Sequence, residues 1–161
     1  MALFDDLLSL ARHLVDRNPG AAIEADLRRA VSTAYYSLFH LLVHEATARI
    51  VAIPALRPRV IRAFEHQNMK RVCQEYIRTT LDPMRQPIPP EVNLIAQAFV
   101  ELQQARQDAD YNTAVSYSHT EADTQVQLAE VAFAEWKAIQ AEPAANAFLT
   151  ELLFKSILRN R

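Results

Sequence analysis

Glycine is almost missing from this 161-residue chain, with Gly20 the only one. That excludes both common glycine-rich phosphate loops, which need several glycines so that backbone N–H groups can close on a phosphate. Cysteine is equally scarce. Cys73 stands alone, so there is no internal disulfide and no zinc site built on several cysteines. Lying inside a helical pattern, it reads as a small core residue. No apolar run approaches the roughly 20 residues that span a bilayer. The opening "MALFDDLLSLARHL" has acids where an export signal needs basic residues. A cytoplasmic protein with no membrane partner is expected. Neither sign of charge dominates: 17 Lys and Arg against 19 Asp and Glu leave a net charge of −2. General electrostatic attraction to nucleic acid is therefore absent, although a local basic patch remains open.

What is present is helical patterning. Half the residues are apolar and 22% are charged, an ordinary composition for a domain long enough to bury a core. The apolar period is close to 3.6 nearly everywhere, and no segment alternates like a strand. Leu3, Leu7, Leu10 and Leu14 mark a first helix, stopped by "RNPG". Further stripes and proline breaks predict helices near residues 3–17, 21–50, 58–80, 90–110, 120–141 and 144–158. Thr120 followed by Asp123 resembles the cap of the fifth. With no internal repeat and no linker, residues 1–161 are expected to form one domain, an all-α up-and-down bundle of about five to six helices.

The stretch "LQQARQDADYNTA" holds the sharpest anomaly. Val92, Ile95, Phe99 and Leu102 form an apolar stripe whose next position is Arg106. Asp110 follows one turn later, with Tyr111 beside it. A guanidinium there can lie along the bundle edge with its charge in water, paired to Asp110. It can also face a groove and hold a phosphate bidentately, with the Tyr111 phenol assisting. In "RRAVSTAYYSLFHLLVHEA", Tyr35 and Tyr36 point about 100° apart, so one joins the core while the other leaves it. His40 and His44 are one turn apart, but no third metal ligand follows, and no metal or other cofactor is expected. His66, in "RAFEHQNMKRVCQEYI", is a candidate general base or phosphate donor. Arg57, Arg59, Arg62, Lys70 and Arg71 give that region a basic bias. No Ser–His–Asp elbow or pair of catalytic carboxylates is readable.

Three blocks in order, "LRRAVSTAYYSLFHLL", then "FEHQNMKRVCQEYI", then "ARQDADYNTAVSYSHTEAD", resemble the HEPN superfamily (higher eukaryotes and prokaryotes nucleotide-binding), in its small stand-alone prokaryotic branch. The resemblance covers roughly residues 22–140. It implies a helical bundle, often homodimeric, that binds a nucleotide or RNA. Many members are metal-independent ribonuclease toxins encoded beside a nucleotidyltransferase antitoxin. Their motif is an arginine followed after four to six residues by a histidine. Arg106 matches the arginine, but Tyr111 stands in the window and the nearest downstream histidine, His119, is too far.

The expected function is therefore binding of a nucleotide, RNA or a nucleotidyltransferase-type partner, within a toxin–antitoxin pair. The alternatives are an endoribonuclease in which His66 or His40 replaces the missing histidine, and a purely structural dimer. Arg106, Asp110, Tyr111, Tyr36, His40 and His66 are expected to line one groove, with Arg106 partly exposed. The apolar C-terminal stretch "FLTELLFKSIL" is read as surplus to a small bundle and hence as a dimer face.

Overall fold

The 3.6-residue period becomes seven helices in the computed structural model, which describes residues 1–79 and 87–158. They are α1 (Leu3–Asp16), α2 (Glu24–Ile50), α3 (Arg57–Ile61), α4 (His66–Thr79), α5 (Pro90–Tyr111), α6 (His119–Ile139) and α7 (Pro143–Leu158). A 3₁₀ turn over Pro54–Leu56 precedes α3. No strand occurs among the described residues. Prolines punctuate as their chemistry dictates: Pro90 and Pro143 open α5 and α7, where a missing N–H costs no helical bond.

The long α2 is the centre of the bundle. It packs against α1, α5, α6 and α7, and buried residues occur around most of its circumference. Two of its buried hydroxyls are turned back onto the helix: Ser37 donates to the Ala34 carbonyl at 2.7 Å and Thr47 to that of Val43 at 2.6 Å. α2 and α5 run antiparallel. Arg28, early in α2, meets Ala109 late in α5, whereas Tyr35 meets Phe99, with ring centroids 5.5 Å apart.

Three sequence expectations need correction. The helix predicted over 58–80 is two helices. Turn hydrogen bonds from Ala63 N–H to the Val60 carbonyl and from Phe64 N–H to that of Ile61 break it, and the break lets Phe64 enter the core. Its predicted end at residue 80 lies outside the described residues. The first helix forms where its stripe predicts it, over Leu3–Asp16; its buried residues are Ala11 and Val15, with Phe4, Leu8 and Leu14 packed against the core, while Leu3 and Leu10 are exposed. The cap of α6 is Ser118, not Thr120. Its hydroxyl accepts from Glu121 N–H at 3.2 Å, and the Glu121 carboxylate accepts from Ser118 N–H at 2.7 Å, a reciprocal box. Finally, Phe148, Leu149, Leu152 and Leu153 of α7 are buried within this chain against α2, α4 and α5. Among the described aromatic and leucine side chains of that stripe Phe154 alone is exposed, so this part of it is no surplus face.

With one glycine in the chain, helix C-termini close without it. No described residue has positive φ, so the left-handed glycine cap is not used. Arginines take its place. Arg57 donates to the Val51 and Ala48 carbonyls at the end of α2, at 3.2 and 3.3 Å. Arg28 donates to Ala109 and Asn112 at the end of α5, at 3.0 and 3.2 Å. Arg49 donates to Gln140 at the end of α6, at 2.6 Å, with its guanidinium 5.1 Å from the Trp136 ring centroid.

Candidate functional site

The buried face of α5 carries Val92, Ile95, Phe99 and Leu102, and the same face continues into Arg106. The arginine is 8% exposed, against the expectation of a partly exposed side chain. Aromatic faces replace water around it: its guanidinium carbon lies 5.4 Å from the Tyr35 ring centroid and 5.9 Å from that of Tyr36. Its ion pair is with Asp110, at 3.8 Å from Nη1, too long for a hydrogen bond. Nε is buried with no hydrogen-bond partner among the described residues. A buried guanidinium normally has its donors engaged, so this Nε is an unmet donor.

Around it the structure assembles three of the predicted residues, Tyr36, His40 and His66. Tyr36 is half-buried, its ring centroid 6.0 Å from His66 and 6.5 Å from His40. His66 arrives from α4, where the break after α3 sets the first turn of the new helix against α2. Its ring stacks on Phe39 at 4.2 Å and 30°, and its Nδ1 lies 2.6 Å from the Tyr35 hydroxyl. Burial, then the Arg106 charge, then His40 hold the His66 pKa below its ordinary value. Burial does the same to His40. Both imidazoles are therefore neutral near pH 7. The Tyr35 phenol is pushed far upward by burial and stays protonated.

Tyr111 does not join this group. It is 76% exposed at the end of α5, one position round the helix from the seam, and shares none of the cluster's ring contacts. Asp110 is present only through its long ion pair. Two members went unread in the sequence. Tyr35 is completely buried and Phe39 nearly so. A signal for Tyr35 existed: a tyrosine on a core stripe must still place its O–H on a partner.

His40 and His44 do not form a chelating pair, because the exposed His44 ring lies against Phe4, 5.3 Å between centroids. Among the described residues no group of three or more His, Cys, Asp or Glu side chains is placed to hold a metal ion. A groove of about 640 Å³ lies on the opposite side of α5, lined by Gln74, Glu101, Gln104, Asp108 and Gln125 among others. It includes Lys70 of the basic stretch but none of Arg106, Asp110, Tyr111, Tyr36, His40 and His66.

The cluster joins one cation with spare donors to two neutral imidazoles and three aromatic rings, walled by a hydrocarbon core. In chemical terms, a guanidinium with an unmet donor beside neutral imidazoles and aromatic faces is a set of groups that can hydrogen-bond an oxyanion and stack a flat ring. Comparison with family models, with curated proteins and with solved structures finds no match to this chain.

Proposed function

We propose that this chain is a HEPN-like helical module whose Arg106 cluster binds the phosphate of a nucleotide or of RNA. In this reading it acts as a cytoplasmic homodimer with a nucleotidyltransferase-type partner, as one half of a toxin–antitoxin pair. The observation that carries the binding reading is the buried Arg106 guanidinium with its Nε unpaired. A charge held in that state costs stability, which a bound phosphate would offset by taking the free donors. The half-buried Tyr36 ring offers a surface on which a base can stack. The all-helical architecture and the three-block resemblance favour the family. The exposed Leu3 and Leu10 of α1, and Ile53, Leu56 and Ile61 around α3, supply apolar surface for a second copy or a partner.

A second reading, endoribonuclease action, is favoured by one observation: α4 delivers His66 to the arginine that lacks its motif histidine. Titration of a labelled single-stranded RNA oligonucleotide and of ATP, against wild type and Arg106→Leu, tests the first reading. At least tenfold weaker binding by the variant is expected; equal binding by the two proteins rejects the site. Cleavage of the same oligonucleotide by wild type, lost in His66→Ala, would establish the second reading.

A further inference from the structure

The pair at the centre of the cluster poses a question of proton placement. The Tyr35 hydroxyl and His66 Nδ1 are 2.6 Å apart, so one proton lies between them. Suppose it belonged to Nδ1 and the phenol accepted it. The phenol's own proton would then need another acceptor, and Tyr35 is 0% exposed with His66 as its one hydrogen-bond partner among the described residues. An orphaned buried donor is costly, so the phenol donates and Nδ1 accepts. A doubly protonated ring is disfavoured by the same argument, since it would face the O–H with a second donor. It would also stand beside the Arg106 guanidinium. The ring proton of the neutral imidazole must then sit on Nε2.

We infer that Tyr35 is the positioning residue of this site, fixing His66 as an Nε2–H donor beside Arg106. The role toward ligand rests on the phosphate-binding reading above; the tautomer rests on geometry alone. One side chain performs two tasks, because the Tyr35 hydroxyl orients the imidazole while its ring face lies 5.4 Å from the Arg106 guanidinium. Phe39, stacked on the imidazole, holds the ring plane. The ligand thus meets two donors held by the same tyrosine. A general base at Nε2 is excluded in this state, because that nitrogen already carries its proton and Nδ1 is engaged. His66 therefore acts as a donor to a bound oxyanion, which sets binding ahead of proton abstraction at this site.

The titratable and charged groups around His66 are Tyr35, Tyr36 and His40 of α2, Arg106 of α5, and Glu65 in the turn before α4. Glu65 accepts from Asn68 Nδ2 at 3.0 Å. Full-length protein labelled with ¹⁵N at histidine reads the tautomer by long-range ¹H–¹⁵N correlation. Wild-type His66 is expected as the Nε2–H form, with its Nε2 signal shifted by inorganic phosphate and by a single-stranded RNA oligonucleotide. In Tyr35→Phe the ring survives and the hydroxyl is lost. His66 should then show mixed tautomers and a higher pKa, since the neutral form loses its supporting hydrogen bond. RNA affinity should fall by up to about tenfold, the worth of one misdirected hydrogen bond. A proton on Nδ1 in wild type overturns the inference whether or not the variant folds. So does an unchanged tautomer and titration in Tyr35→Phe. An Nε2–H signature in wild type with no response to either probe would instead support the tautomer and reject the phosphate-binding reading.

Discussion

Arg28 of α2 sits on the end of α5, its Nη1 3.0 Å from the Ala109 carbonyl oxygen. The same guanidinium reaches Asn112 and Val115 and is itself held by Glu24 at 2.8 Å. Arg106 lies one turn before this clamp. Arg28→Ala strips several carbonyls of a charged donor at once and should cost about 2 kcal/mol. Urea unfolding of the two proteins measures it, and a difference below about 0.5 kcal/mol would mean that water replaces the arginine without loss.

Arg106→Leu should behave in the opposite way. The native guanidinium is buried with an unpaired Nε and a distant carboxylate, so an apolar replacement removes a desolvated charge from an aromatic setting. Stability is expected to stay within about 1 kcal/mol of wild type or to rise, while phosphate binding is lost. A loss above about 3 kcal/mol would instead assign Arg106 to the scaffold.

Acid should weaken the fold through the two histidines. Their folded-state pKa values lie below the ordinary 6.5 that they regain on unfolding. The unfolded chain therefore binds the extra protons first. Their contribution is complete above about pH 6.5 and is lost as the pH falls from there through the lowered folded values. His40→Gln/His66→Gln should flatten the decline in melting temperature between about pH 6.5 and pH 5 relative to wild type. An identical decline in both proteins would remove these residues from the acid response.

Cys73 offers a test of the core. It is completely buried, and burial drives its thiol pKa far upward. A thiol reagent at neutral pH should label it only as fast as the protein unfolds. Fast labelling under native conditions would show that α4 opens locally.

Ser118→Ala removes one half of the box at the start of α6 and should cost about 1 kcal/mol. Thr120→Ala, at the position favoured from sequence, should cost less than half of that. Thermal melts of both variants rank the two positions, and the reverse order would contradict the observed cap.

What could be read along the chain was local. Helix content follows from the 3.6-residue stripes and from prolines at 90 and 143, which act within one or two turns. Arg106 stood out because its own helix defines the stripe that it interrupts. What was not readable depends on neighbours distant in the chain. In α1 the positions Leu3, Leu7, Leu10 and Leu14 and the positions Phe4, Leu8, Ala11 and Val15 both make apolar stripes; docking onto α2 and α6 turns the second inward, with Leu14 of the first also packed against the core. The break after Ile61 contains neither glycine nor proline. It arises because Phe64 and His66 find better surroundings against α2. Tyr35 and His66 are likewise joined by packing of α2 on α4, which no spacing rule reports. Tyr111 was misplaced for a simpler reason: it is adjacent to Asp110 in sequence, and adjacency on a helix turns a side chain through about 100°.

The arginine caps also bear on how this bundle comes apart. A glycine cap travels with its own helix and survives when neighbours leave. Here the end of α5 is closed by a side chain of α2, and the end of α6 by another side chain of α2. Neither terminus has that closure until the helices are side by side, so fraying of one helix and separation of the pair become a single event. The final turns of α5 and α6, ordinarily the first amides to exchange with solvent, should thus exchange with a protection approaching that of the α2 centre. Cooperativity in this molecule extends to the helix ends because the residue that would have made them independent is almost absent from the chain.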